Sequence, residues 1–239
     1  MSYNTIINCY LALSLVSIKF GGLKLSDQLI FDLPCYPAIG TEDFFVSKAN
    51  SLAFEVIQNW ADWNDRRVLI TGGKGSGKTH LTHVWANLSG AEFIDLNNPE
   101  RDLSDKKPII IEDIDLIISI PTFEEKLFHL LNFAKQLDIY VLMTSSVAAS
   151  RLGVQLLDLS SRLQATAHFP IYPPDDALLS AVLVKQFSDR QINISPSLIE
   201  YILKRITRSL LSVSDFVDSL DNLMLKTKKG PSRAMISEI

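Results

Sequence analysis

Cysteine is scarce in this sequence: Cys9 and Cys35 are the only two among 239 residues. They show no CxxC spacing and no histidines set out beside them, so the chain offers no basis for a disulfide framework or a zinc site. A reducing cytoplasm is the expected compartment. A basic excess is missing as well, since 23 Lys and Arg stand against 27 Asp and Glu for a net charge of −4, with a pI near 5.6. Surfaces that bind duplex DNA unaided normally carry the opposite balance, because phosphate neutralisation supplies much of their affinity. The apolar stretch Ile6 to Ile18, "IINCYLALSLVSI", is too short to span a bilayer. It also lacks the positive leader and small-residue cleavage site of a signal peptide. It reads as a peripheral extension or as the product of a mis-assigned start. Internal repeats and low-complexity tracts are absent too.

What remains is a composition suited to burial. Hydrophobic residues make up 47% of the chain, and the length allows one large domain or a larger and a smaller one around an ample core. Val68–Thr71 is a short β-branched run leading straight into glycines, and Leu81, Val84, Trp85 and Leu88 follow at helical spacing. Glu92–Leu96 ("EFIDL"), Pro108–Glu112 ("PIIIE") and Ile139–Thr144 ("IYVLMT") read as strands buried on both faces. Between the last two, Thr122-Phe-Glu-Glu125 has the form of a capping box opening a helix with Phe123, Leu127, Leu130, Leu131 and Ala134 on one side.

After Tyr172-Pro173-Pro174 the strand signal stops. Three helical patterns follow: Asp175 to Asp189; Pro196 to Ile206, with Ser195 as N-cap; and Ser212 to Lys226. The fold expected is α/β, a parallel sheet flanked by helices and followed by a small all-helical lid.

Gly72-Gly-Lys-Gly-Ser-Gly77-Lys78-Thr79 fits the phosphate-loop pattern in full, between a strand and a helix as the pattern requires. Gly72, Gly73, Lys74, Gly75, Ser76 and Gly77 would wrap backbone N–H groups around phosphates at the helix N-terminus. Lys78 would meet the β- and γ-phosphates and the Thr79 hydroxyl would ligate Mg²⁺. The strand Ile109–Ile111 ends in Glu112-Asp113. In phosphate-loop proteins such acids face the Mg²⁺ and orient the attacking water. His80 and His83 have no third ligand in view, so packing accounts for them better than metal binding.

The segments "GSGKTHLTHVW", "IIIEDID" and "LSSRLQATAHFPIYPPDDALLSAVL" resemble the AAA+ ATPase module of the bacterial replication initiator DnaA, from about Phe44 onwards. The resemblance implies an AAA+ phosphate-loop base over about residues 40–172 and a helical lid over 173–239, with ADP or ATP and Mg²⁺ as ligands. It places Phe45, Val46 and Asn50 beside the adenine and His80 at the loop. Glu112 falls at the Mg²⁺-associated acid, Asp113 at the catalytic acid, and Thr144 and Ser145 in the sensor-1 region. Arg162 matches the arginine finger that reaches a neighbouring subunit's nucleotide, and Arg208 the sensor-2 arginine of the lid. Glu112 departs from the aspartate usual in the family. Its extra methylene moves the carboxylate, which weakens the case for efficient self-hydrolysis.

The chain lacks the helix-turn-helix domain that follows the lid in DnaA, and DnaA's long N-terminal region. Before the base, and after an extension over residues 1–27, it has Gln28-Leu29-Ile30-Phe31-Asp32-Leu33-Pro34. This is similar to the glutamine-led peptides that dock in the pocket of the DNA polymerase III β sliding clamp, with Gln28 as polar anchor and Leu29, Phe31 and Leu33 as apolar ones. The layout resembles the Hda type of the family, regulatory inactivators of DnaA. That resemblance implies a negative regulator of replication initiation whose partners are DnaA and the clamp. DNA would be reached only through the clamp, no membrane is involved, and monomer or homodimer is left open. Such a protein stimulates a partner's ATPase rather than turning over its own ATP. A self-sufficient ATPase or helicase loader of the DnaC type stays as the alternative, and a small-molecule kinase gives Arg162 and the lid no work. The basic residues Lys226, Lys228, Lys229 and Arg233 read as a solvated tail. If the clamp peptide is used, Gln28→Ala should weaken binding to the clamp by about tenfold or more in a surface-immobilised assay, in line with the loss of a buried hydrogen-bonding anchor; full binding by the variant would remove the role from this peptide.

Overall fold

Unbroken aliphatic runs are what a strand covered on both faces requires. The computed structural model, which describes residues 44–96 and 105–239, assembles them into a five-stranded parallel sheet. The strands are β1 (Arg67–Thr71), β2 (Glu92–Phe93), β3 (Ile109–Ile111), β4 (Val141–Ser145) and β5 (Ala167–Pro170), in the order β2-β3-β4-β1-β5. Thr71 at the end of β1 stands opposite Ser145 on one side and Pro170 on the other. The tips of the central strands therefore meet at one end of the sheet, where open α/β folds bind their ligands.

Strand residues alternate between two cores, as a period of two demands. Leu69, Ile109, Ile111, Val141 and Met143 pack with Ile114 of α3 (Ile114–Ile117), with Leu127 and Leu131 of α4 (Pro121–Gln136), and with Leu159 and Leu163 of α5 (Leu157–Ala165). Val68, Ile70, Ile110 and Leu142 pack on the other face with Ala53, Phe54 and Ile57 of α1 (Ser51–Gln58) and with Leu81, Val84 and Trp85 of α2 (Lys78–Ser89). The lid has its own core. Leu183 and Phe187 of α6 (Asp176–Asp189) and Ile202 of α7 (Pro196–Leu203) meet Val213, Val217 and Leu220 of α8 (Leu210–Thr227) and Ile236 of α9 (Arg233–Glu238).

The expected layered base and helical lid are thus observed, with four local differences. The sequence pattern names no strand between Thr144 and the lid, whereas β5 pairs along β1. Helix α4 begins at Pro121 after Ile120, without a side-chain cap, so the capping box at Thr122 and Glu125 does not form. Ser195 does precede Pro196 at the start of α7, but its Oγ pairs with Ser197 Oγ at 3.1 Å and caps no backbone N–H. Arg233, read as part of a solvated tail, opens α9 behind a Ser232 cap and lies over the Tyr201 ring at 5.6 Å. No helix among the described residues is long and apolar enough to cross a membrane. Leu142, fully buried at the middle of β4, tests the core: Leu142→Ala is expected to lower the unfolding free energy by about 2–5 kcal/mol, measured by urea denaturation, and a loss under about 0.5 kcal/mol, the range of surface changes, would contradict that packing.

Candidate functional site

The loop after β1 can only be glycine-rich. At Gly72 a Cβ would lie 2.5 Å from Ser76 Oγ and 3.0 Å from the Ile171 carbonyl, while Gly75 and Gly77 have φ of 72° and 97°, a region L-residues rarely adopt. Gly77 hands the chain to α2, whose unpaired first N–H groups and positive dipole end face the cleft. Lys78 is buried with 8% of its surface exposed, and its Nζ donates to the carbonyls of Gly72 at 2.9 Å and Gly73 at 3.4 Å. Asp113 Oδ1 lies 3.9 Å from the same ammonium.

One cleft lies between loop residues 74–79 and Asp113, Asp115, Leu116 and Ser146. Thr79 and Asp113 therefore face each other across it. Asp113 sits in the left-handed region with φ 47°, and its N–H donates to Thr144 Oγ1 at 2.9 Å. Thr144, fully buried at the tip of β4, thus fixes the backbone of this acid. Ser145 Oγ turns away and donates to the Val147 carbonyl at 2.7 Å. Glu112 is held elsewhere: Oε1 accepts from Thr82 Oγ1 at 2.9 Å, one turn along α2 from Thr79, and the same hydroxyl lies 2.8 Å from the Thr79 carbonyl. A single hydroxyl proton serves one of these two acceptors at a time. The Thr82 hydroxyl thus lies between the Thr79 carbonyl and the Glu112 carboxylate.

A second hollow opens between Phe44, Phe45, Asn50 and His80 on the base and Leu178, Val182, Gln186, Leu210, Leu211 and Ser214 on the lid. Its lining is largely apolar with a few polar groups, the character of a site for a flat organic group. Phe45 and Asn50 line it, but Asn50 is a fastener: Oδ1 accepts from the Ser47 N–H at 2.7 Å and Nδ2 donates to the Phe45 carbonyl at 2.9 Å. Val46 packs in the core under the sheet. His80 meets Phe44 edge-on at 5.2 Å, and His83 lies against Phe93 at 4.8 Å.

The two arginines fall apart. Arg208 is exposed and pairs with Asp176 Oδ1 at 3.0 Å, and it lines neither cleft. Leu211 occupies the place against the loop, where a Cβ on Gly75 would come within 2.7 Å of Leu211 Cβ. The Leu210 N–H donates to the Gly75 carbonyl at 3.1 Å. Arg162 is half-buried on α5 with its guanidinium 5.0 Å from the centre of the Phe128 ring, and it too lines neither cleft. Gln28, Leu29, Phe31 and Leu33 of the expected clamp peptide, with Cys9, Cys35 and the apolar stretch before them, lie outside the described residues.

Residues the motifs did not single out complete the site: Thr82, Asp115, Ser146, Leu210 and Leu211. Only Asp115 carried a signal, being a third acid in "IEDID". Burial pushes its carboxyl up, but hydrogen bonds from the Ser146 hydroxyl and the Ser146 N–H outweigh this and hold it below the usual aspartate range. A depressed folded-state pKa means that this contact stabilises the protein above the ordinary aspartate pKa, and that the contribution disappears as pH falls through the lower folded value.

No family model matches the chain. An uncharacterized protein of Haemophilus influenzae is 23% identical over 211 residues, covering 83% of this chain and 91% of that protein. The chromosomal replication initiator DnaA of Wolinella succinogenes is 24% identical over 215 residues, covering 79% of this chain and 49% of its own length; the chain thus spans half or less of the DnaA proteins it matches. Among solved structures, domain III of Thermotoga maritima DnaA superposes with a TM-score of 0.71 at 20% identity, over 82% of this chain and 92% of that one. A DnaA bound to AMPPCP and single-stranded DNA gives a TM-score of 0.64 at 17% identity, over 78% and 67%.

Ser146→Ala should raise the Asp115 pKa towards the ordinary aspartate value in an NMR titration of its carboxyl carbon, and an unmoved pKa would rule out the serine hydroxyl as its cause. Sheet order and the helical C-terminal region agree with the comparisons: this chain has the AAA+ fold, its sequence is similar to DnaA proteins, and its structure is similar to DnaA domain III.

Proposed function

We propose that this protein is a regulator of replication initiation that holds an adenine nucleotide and promotes hydrolysis of ATP bound to a DnaA-type initiator, by supplying Arg162 in trans. The observation that carries the reading is the placement of Arg162. It lies on an outer helix, away from both clefts of its own chain, and has no ion-pair partner among the described residues; its guanidinium rests on an aromatic ring. Such a group is available to a neighbour. A guanidinium aimed at charge developing on a transferred phosphoryl group is worth about 10³–10⁵ in rate.

The protein's own nucleotide then acts as a latch. Its phosphates would lie on the N–H groups of the loop and on Lys78, its base in the hollow under the lid. The donor set facing the phosphates fits Mg²⁺, since the Thr79 hydroxyl and the Asp113 carboxylate line the same cleft. Mg²⁺ commonly rests on one or two such groups, with phosphates and water supplying the rest. Bound there, the ion would neutralise phosphate charge. Two features argue for slow turnover in cis: Glu112 is engaged by Thr82, and the lid presents Leu211 to the loop while Arg208 is paired with Asp176. The clamp peptide at Gln28–Leu33 would bring the protein to DNA through the sliding clamp, placing it where initiators have just fired.

A self-sufficient ATPase or helicase loader is the second reading. Asp113, whose backbone Thr144 fixes at the cleft, is the observation in its favour. The two readings part in one assay, in which initiator preloaded with labelled ATP is incubated with clamp-loaded DNA and this protein. Conversion to ADP is expected, with a loss of about 10³-fold in Arg162→Ala. If the initiator's ATP survives while this protein consumes its own, the loader reading takes its place.

A further inference from the structure

A carboxylate on α4 does work that the capping-box reading of this segment hides. Glu124 is 4% exposed, and a buried carboxylate is costly unless donors surround it. Here they come from the chain entering α5. Oε1 accepts from the Gln155 N–H at 2.9 Å, and Oε2 accepts from the Leu156 N–H at 2.8 Å and from Gln155 again at 3.2 Å. Leu156 is the residue that precedes α5, and α5 has no side-chain cap of its own. Glu124 therefore pins from another helix the two residues that lead into α5, Gln155 and Leu156, and sets a negative charge near the positive end of the helix dipole.

One turn along the same face of α4, Phe128 lies under the Arg162 guanidinium at 5.0 Å. Between these two points Leu127 and Leu131 of α4 pack in one core with Leu159 and Leu163 of α5. Helix α5 is nine residues long, and Arg162 stands about one and a half turns from the end that Glu124 holds.

We infer that Glu124 is a positioning residue for Arg162: it fixes the start of α5, and with it the direction in which the guanidinium leaves the molecule. This rests on the reading of Arg162 as a finger supplied to a partner. Glu124 touches no nucleotide and acts only through that side chain.

Glu124→Gln keeps the volume but replaces one acceptor oxygen with an N–H₂ that faces the N–H groups of Gln155 and Leu156. The full chain carrying this change, alone and combined with Arg162→Ala, is compared with the parent for conversion of initiator-bound ATP, for its own ADP affinity and for amide exchange at Gln155 and Leu156. Misplacement of a transition-state group by about 1 Å can cost on the order of 10²-fold. Glu124→Gln is accordingly expected to slow conversion by about 10–100-fold, to speed exchange at the two amides, to leave ADP affinity unchanged, and to cost nothing more once Arg162 is alanine. Equal losses with and without Arg162, ADP affinity falling in parallel with conversion, or unaltered exchange at the two amides would overturn the inference. If Arg162→Ala converts normally, the finger reading itself is what fails. If Arg162→Ala is slow and Glu124→Gln converts like the parent, the positioning role alone is lost.

Discussion

The ammonium of Lys78, turned into its own loop, is the contact on which the rest of the nucleotide cleft depends. The carbonyls of Gly72 and Gly73 converge on the lysine, while the Gly72 N–H is spent on the Ser145 carbonyl and the Ser76 N–H on the Gly73 carbonyl. That arrangement requires left-handed glycines, a strand tip with no room for a side chain at Gly72, and a helix starting at once behind Gly77. The neighbours are placed against it: β4 through the bond from the Gly72 N–H to the Ser145 carbonyl, β3 through Asp113 beside the ammonium, and the lid through the Leu210 N–H on Gly75.

Much of this was legible in the sequence, because phosphate binding by backbone demands particular residues in a particular order. The spacing of Gly72, Gly77, Lys78 and Thr79, the aliphatic run closed by two acids, and the helical patterns after Pro174 led to the observed base and lid. β5 was not legible, since Ala167-His168-Phe169-Pro170 has no aliphatic run. It is an edge strand, where Pro is tolerated and less burial is required, and its His168 ring is 2.6 Å from Thr71 Oγ1. The box at Thr122 failed for a local reason, because Ile120-Pro121 sets the helix start earlier.

The lid arginine shows where reading by residue type runs out. Arg208 matches the sensor-2 arginine by resemblance, while the residue that packs against Gly75 of the phosphate loop is Leu211, placed there by where α8 begins. Ser209 accepts the Ser212 N–H, the helix starts at Leu210, and its first turn sets Leu211 over Gly75. Likewise, Glu112 could be recognised as an acid at a strand tip. That its carboxylate meets the Thr82 hydroxyl follows from the spacing of β3 and α2, which only the assembled sheet supplies.

The leucine contact between lid and loop also has a consequence for the environment in which the protein works. A lid held by an arginine on phosphate or carboxylate feels every change in ionic strength, because screening acts on charge. A lid held by a leucine side chain and a backbone N–H does not, since burial of apolar surface is indifferent to dilute salt and gains in salts excluded from protein surfaces. The contact of Leu210 and Leu211 with Gly75 thus holds through changes in salt that loosen surface ion pairs such as Arg208 with Asp176.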